Sequence, residues 1–372
     1  MEKREIATLP LAPIYKTRLH TGGYRTVCDL SKRGADQLSK DIGLNIHDCE
    51  NILQVVENRK SCSPRSALQI FKEEESTAAI MTFSEKLDVA LGGGIRNGML
   101  TEICGVPGVG KTQLCLQLSC DVQIPAVFGG LEGEVIYMDT EGGFILDRVT
   151  DLVTATVRHC QFIASGENDK GTTKLQLLLI YIQAKVSAMT VEKLLAGIHV
   201  YKCHDNTQLL AAINLLPDLL HQNKKIKLVV IDSIAFHFRH DFEDLSLRTR
   251  ILTSLAQTLT GIARKHNIAV VVTNQMTTRV HQGSDKGSHL VPCLGESWGH
   301  ACTTRVILEY ERDRRLAWLY KSPCRPQTKV HYQITKDGIR DVVNSTVQQQ
   351  NIPTETFSDS SVENPAKRQK LL

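Results

Sequence analysis

No C-x-x-C pair occurs in the chain, although it holds eleven cysteines. Scattered thiols without that spacing argue against a structural zinc site. The opening residues, MEKREIATLP, lack the apolar stretch of a secretory signal. No apolar run is long enough to span a bilayer, so no membrane role is expected. The cysteines are expected to be reduced, in a cytosolic or nuclear protein. Strong charge of either sign is missing too, the formal net charge being +4. Any contact with nucleic acid must therefore come from a local basic patch. No short internal repeat is visible.

What is present is ordinary for a globular protein: 372 residues, 42% hydrophobic and 23% charged. That is enough for two or three domains and a large core. Four stretches differ in character. Residues 1–60 alternate short apolar helical patterns with glycine turns at Gly22-Gly23 and Gly43. This rhythm fits a small all-α domain of helix-hairpin-helix type, which offers backbone N–H groups to phosphates. Asp41 and Asp48 flank the second turn and tip the reading toward a protein-docking module. Residues 61–80 open on a Ser/Pro break and carry a charged run, as a linker does. Residues 81–343 alternate β-branched apolar runs, at 100–104, 134–138, 198–201, 228–231 and 268–273, with helical patterns. Such alternation predicts an α/β core with a mostly parallel central sheet. Residues 344–372 are polar and aperiodic and read as a disordered tail. Within it, Lys367, Arg368 and Lys370 after Pro365 have the density of a nuclear-import signal.

The strongest motif is Gly105-Val106-Pro107-Gly108-Val109-Gly110-Lys111-Thr112. It fits G-x-x-x-x-G-K-[ST], follows a strand pattern and opens a helix pattern that starts at Gln113. The glycines let backbone N–H groups curl around phosphate, and the helix N-terminus adds its positive dipole end. Lys111 would reach the β- and γ-phosphates of ATP, and Thr112 would ligate Mg²⁺. Asp232, closing the apolar run 228–231, supplies the second group for Mg²⁺ at a strand's carboxyl end. Glu141, in Asp139-Thr140-Glu141-Gly142, is the candidate general base. Asp139 either supports the metal or holds the loop. Gln275, after the run 268–273, is a candidate γ-phosphate contact. The polar segment that follows, TTRVHQGSDKGSHLVP, reads as a long mobile loop whose Arg279 and Lys286 could grip a phosphate backbone. A second candidate loop, Phe236 to Phe242, interleaves aromatics with Arg239 and His240, a pattern that suits single-stranded nucleic acid and equally suits phenylalanines packed in the core.

The core resembles the eukaryotic and archaeal branch of the RecA-like recombinases, and within it the recombinase paralogues. The residues that carry the likeness include Thr101-Glu102-Ile103-Cys104-Gly105, Gly110-Lys111-Thr112-Gln113, Asp139-Thr140-Glu141-Gly142 and Leu245-Ser246-Leu247-Arg248-Thr249-Arg250. Gly295-Glu296-Ser297-Trp298-Gly299-His300 and Tyr320-Lys321-Ser322-Pro323 extend it toward the carboxyl end. The resemblance implies a RecA-like P-loop NTPase fold and homologous recombination repair in the nucleus, with cytoplasmic or mitochondrial pools. It implies single-stranded and branched DNA as ligands, and hetero-complexes with other paralogues and with the main recombinase. By the same resemblance Glu141 is the catalytic glutamate and Gln275 the γ-phosphate sensor. Lys321 and Pro323 would then cap ATP bound to a neighbouring protomer. One departure stands out: the family's F-x-x-A linker strand has no match at Phe71-Lys72-Glu73-Glu74 or Phe83-Ser84-Glu85-Lys86. This favours a mediator in a mixed complex over a filament-forming strand-exchange enzyme. A scaffold with a purely structural ATP site is the other alternative.

Overall fold

The computed structural model describes residues 5–31, 33–60, 66–75, 78–166, 181–240, 244–280 and 288–342. It divides into two compact units, Met1–Thr77 and Ala78–Leu372.

The first unit packs the helices Pro13–Thr21, Val27–Ser31, Ala35–Ile42 and Ile46–Lys60 around Leu19, Leu30, Leu38, Ile42 and Ile52. Gly43 ends the third helix in the left-handed region, with φ 64°, where glycine carries no Cβ penalty. Arg18 donates to the carbonyl of Gly43 at 2.9 Å, which ties the first helix to that turn. Asp41 accepts from the Tyr24 hydroxyl and Asp48 from that of Tyr15. Both acids are thus internal struts of the unit. The stretch expected to be a linker contains the helix Ala67–Glu75. Its Ala, Leu, Gln, Lys and Glu are good helix formers, so the charged run continues a helix.

The second unit is built on a ten-stranded sheet. Strands β1 (Ala79–Ile80) and β2 (Ile95–Arg96) form a small antiparallel pair apart from it. The sheet holds β3 (Leu100–Gly105), β4 (Glu134–Asp139), β5 (Ile198–Lys202), β6 (Ile226–Asp232), β7 (Ala269–Val280), β8 (Ser288–Pro292), β9 (Thr304–Glu311), β10 (Arg314–Lys321), β11 (Thr328–Thr335) and β12 (Gly338–Asp341). Its order is β12-β11-β10-β9-β3-β7-β6-β4-β5, with β8 pairing on β7. From β9 to β5 all neighbours run parallel. From β9 to β12 the chain is an antiparallel meander.

The parallel strands read as unbroken apolar runs because both faces are covered. Ile103, Val135, Tyr137, Leu228 and Val230 face one layer, with Leu114, Leu118, Val149 and Leu152 from the helices Lys111–Asp121 and Leu146–Gly166. Ile136, Met138, Val229, Ile231 and Val270 face the other, with Leu209, Leu216, Leu255 and Leu259 from Asn206–Gln222 and Leu245–His266. Among the described residues no helix is long and apolar enough to cross a membrane.

Parts of two expected loops are regular structure, while residues 241–242 and 281–287 of them lie outside the described residues. Beyond Gln275, β7 continues to Val280 and pairs with β8 from Met276↔Pro292 to Val280↔Ser288. The threonines and valines of this polar stretch favour extended pairing. The segment Ala235–His240 is a helix, with Phe238 fully buried in the core and only Phe236 of that pair exposed. Phe238 is therefore not available to stack on a base.

Candidate functional site

The parallel strands β3, β4, β6 and β7 bring their carboxyl ends to one edge of the sheet, and every group of the expected nucleotide site is delivered there. β3 feeds the loop from Gly105 to Gly110, and the helix Lys111–Asp121 begins at once. Gly108 and Gly110 have φ of 77° and 118°. A Cβ on Gly105 would lie 2.7 Å from both the Leu308 carbonyl oxygen and a Val109 methyl. Val109 itself is fully buried, so the loop is anchored in the core at its middle. Pro107 takes no N–H into the turn. The Lys111 ammonium donates to the carbonyls of Gly105 and Val106 at 2.9 and 3.1 Å. Burial lowers its pKa, partly offset by the Asp232 and Glu141 carboxylates nearby.

Asp232, at the end of β6, is buried. It accepts from the Tyr137 hydroxyl at 2.8 Å and from Thr273 Oγ1 at 2.5 Å. Burial raises its pKa, and the hydroxyls of Thr273, Thr112 and Tyr137 work against that rise. Asp139, at the end of β4, accepts from the backbone N–H groups of Gly142, Gly143 and Phe144 at 2.9, 3.0 and 3.2 Å. Of its two expected roles, this geometry matches the loop-holding one, and it fixes the turn on which Glu141 stands.

Glu141 is the end of a chain of side chains. Ser233 donates its hydroxyl to Glu141, and the Gln275 amide donates to the same carboxylate at 2.8 Å. Arg239 in turn donates to the Gln275 carbonyl oxygen at 3.0 Å. Ser233 follows a cis peptide after Asp232, and its N–H and carbonyl are both bonded to the Thr140 hydroxyl. Neither Ser233 nor Thr140 was singled out in the sequence, because short polar residues at strand ends carry no spacing signal. Arg148, a lone arginine on the helix Leu146–Gly166, belongs to no motif and was also missed. It donates to Gln113 Oε1 at 2.7 Å and to the carbonyls of Thr335 and Lys336 at 2.8 and 2.5 Å.

Of the expected DNA-contacting residues, Arg239, His240 and Arg279 lie among the described residues. Arg239 is exposed at the nucleotide edge, on the helix that His240 ends. Arg279 stands on β7, 3.3 Å from Glu296, with both side chains exposed. Lys286, and the tail with Lys367, Arg368 and Lys370, lie outside the described residues. Lys321 is committed within its own chain: its ammonium donates to the carbonyls of Gly299, His300 and Cys302 at 3.1, 2.9 and 2.7 Å. Three carbonyls use all three of its protons, while Pro323 stays exposed on the turn that follows.

The donor set fits a nucleotide-borne Mg²⁺. One hydroxyl (Thr112) and one buried carboxylate (Asp232) beside a glycine cradle suit a cation that keeps most of its shell from phosphate and water. Among the described residues no group of three or more His, Cys, Asp or Glu is placed to hold a metal alone. Burial raises the thiol pKa of Cys104, Cys115 and Cys120 well above normal.

The family model described as Rad51 matches residues 73–158 and 169–342. The chain is 42% identical over 351 residues to the protein named DNA repair protein RAD51 homolog 3 of Cricetulus griseus, covering 91% of this chain and 92% of that one. It is 42% identical to the protein of the same name from Dictyostelium discoideum, over 71% of this chain and 65% of that one. It is 30% identical to the DNA repair and recombination protein RadA of Metallosphaera sedula, over 91% of this chain and 97% of that one. With a family match over well more than half its length and relatives matched nearly end to end, the chain belongs to the Rad51 family.

Proposed function

We propose that this protein is a P-loop ATPase of the recombinase-paralogue type, acting in the nucleus in homologous recombination repair of double-strand breaks and stalled forks. Single-stranded and branched DNA would be its ligands, and other paralogues and the main recombinase its partners. The observation that carries the reading is the convergence of Lys111, Thr112, Asp232, Glu141 and Gln275 at one sheet edge. Bound Mg-ATP would supply the scissile anhydride and the cation that balances its charge. The loop N–H groups and Lys111 would hold the phosphates, and Thr112 with Asp232 would hold the cation. Glu141, on a turn pinned by Asp139, would orient water and accept its proton. Gln275 touches both Glu141 and Arg239, so a ligand that drew Arg239 away would be felt at Glu141. ATP in this reading is an assembly switch with slow turnover.

The test is repair complementation by Lys111→Ala and Glu141→Gln in cells lacking the protein, with ATP binding and turnover measured on the purified variants. Lys111→Ala is expected to lose binding. Glu141→Gln should bind normally and turn over about 100-fold slower or worse. Complementation by Glu141→Gln alone would mean that binding suffices. Complementation by both variants would overturn the ATPase reading in favour of a scaffold.

A further inference from the structure

The phosphate loop is held from outside by two tyrosines that no nucleotide-binding motif contains. Tyr332, on β11, is buried and donates its hydroxyl to the Val109 carbonyl at 2.8 Å. Tyr310, on β9, is largely exposed and donates to the Gly108 carbonyl at 3.0 Å. The two partners are separated by 223 and 202 residues in sequence. Arg315, on β10, lies over the Tyr310 ring with its guanidinium carbon 5.5 Å from the centroid. Ile334, two residues beyond Tyr332, backs the loop so closely that a Cβ on Gly110 would come within 2.6 Å of its terminal methyl.

A trans peptide points its C=O and N–H in opposite directions. Fixing a carbonyl outward therefore fixes the next N–H inward. The Val109 carbonyl held by Tyr332 sets the Gly110 N–H, and the Gly108 carbonyl held by Tyr310 sets the Val109 N–H. Among the described residues the latter makes a long 3.4 Å bond to the Val106 carbonyl, which restrains it weakly. Lys111 occupies the carbonyls of Gly105 and Val106. Glycine makes the loop able to adopt this shape but also leaves it able to leave it. External donors counter that freedom.

We propose that Tyr310 and Tyr332 are positioning residues of the nucleotide site, which hold the Gly108–Gly110 peptides in the phosphate-cradling orientation before nucleotide arrives. The proposal rests on the nucleotide-binding reading of the loop. It makes the antiparallel meander a working part of the site, because the clamp acts through preorganisation.

The experiment uses the full chain with Tyr310→Phe, Tyr332→Phe and the double variant, and measures Mg-ATP affinity by calorimetry, turnover at saturating ATP, and thermal unfolding without nucleotide. Each lost hydrogen bond is expected to weaken affinity about two- to tenfold, and the double variant more, while saturated turnover stays at the wild-type value because Glu141 is untouched. Tyr310→Phe is the decisive variant. Its ring is exposed, so the unfolding temperature should hold while affinity falls. Wild-type affinity in both single variants would overturn the clamp and leave the nucleotide reading standing. So would a loss explained wholly by the fraction unfolded at the assay temperature. A wild-type protein that fails to bind Mg-ATP would instead remove the nucleotide reading, and the clamp with it.

Discussion

The two halves of the central sheet carry different burdens. From β4 to β3 the strands are parallel with buried apolar runs, and polar groups follow those runs: Asp139, Asp232, Thr273 and the phosphate loop. From β9 to β12 the strands are antiparallel, and they touch the loop from behind through Tyr310 and Tyr332. The contrast follows from connectivity. The strands β3, β4 and β6 hand the chain to helices, so their carboxyl ends are strand-to-helix turns, where anions and catalytic side chains are placed. A meander turns back at once and leaves its side chains as the only means of contact. The parallel half supplies chemistry, and the antiparallel half supplies constraint.

The seam between the halves is polar. Glu102 on β3 is fully buried. It accepts from Asn274 of β7 at 2.7 Å, from the Trp298 indole at 2.9 Å and from Arg305 of β9 at 2.6 Å. Burial works to lower the Arg305 pKa, but the Glu102 carboxylate outweighs it and holds the pKa above normal. Gly299 makes the room, since a Cβ there would lie 2.3 Å from the guanidinium. Glu102→Ala should give the largest effect on stability, because it strands a buried cation. A loss of about 3–5 kcal/mol is expected, read from urea unfolding. Adding Arg305→Met should recover part of that loss, since the stranded charge goes with it. A single variant as stable as wild type would show that the halves are not stitched here.

The same division explains what was legible in the sequence. The parallel strands were visible as apolar runs, and Gly105–Thr112, Asp232, Glu141 and Gln275 could be named because motif spacing and strand ends locate them. The meander was not visible. Thr304-Arg305-Val306-Ile307 and Arg314-Arg315-Leu316-Ala317 mix charge with apolar residues, and that pattern reads as surface although Arg305 is buried against Glu102. Polarity also hid the extended segments 276–280 and 288–292 on either side of residues 281–287, which lie outside the described residues. In Phe236 to Phe242 the alternation of aromatic and basic residues left stacking and core roles equally open, and Phe238 takes the core role while Phe236 is exposed. The tyrosine clamp lies between residues more than 200 positions apart, and no local pattern encodes it.

A smaller effect should appear where the helix Glu85–Leu91 is tied to the end of the meander. The Asp88 carboxylate accepts the Thr82 N–H at 2.9 Å. Ser84 donates to Asp341 of β12 at 2.5 Å. Burial pushes the Asp88 pKa up to about 6, with the Thr82 hydrogen bonds opposing and Asp341 adding to the rise. Its folded value lies above its unfolded one, near 3.8. The folded state therefore holds the proton more tightly, and stability from this group is present in acid and lost as pH rises from about 4 through about 6. Asp88→Asn keeps an acceptor for Thr82 and cannot ionise. The unfolding temperature of the variant, relative to wild type, should climb across that window and level off above it. A constant difference from pH 4 to 7 would mean that Asp88 ionises freely in the fold.

The smallest effect is expected at the outermost tie between the halves. Arg158, on the helix Leu146–Gly166, lies 2.6 Å from Asp337 in the turn before β12. The side chains are 63% and 48% exposed. Water screens such a pair, and ordering two mobile side chains offsets most of the attraction. Arg148, on the same helix, already fixes that turn through the carbonyls of Thr335 and Lys336. Arg158→Ala should therefore cost no more than about 1 kcal/mol at low salt, and the difference from wild type should vanish near 1 M salt, where the screening length falls to about 3 Å. A cost that survives high salt would place real constraint at the rim of the meander, and the buried seam and the tyrosine clamp would then share that task with its surface.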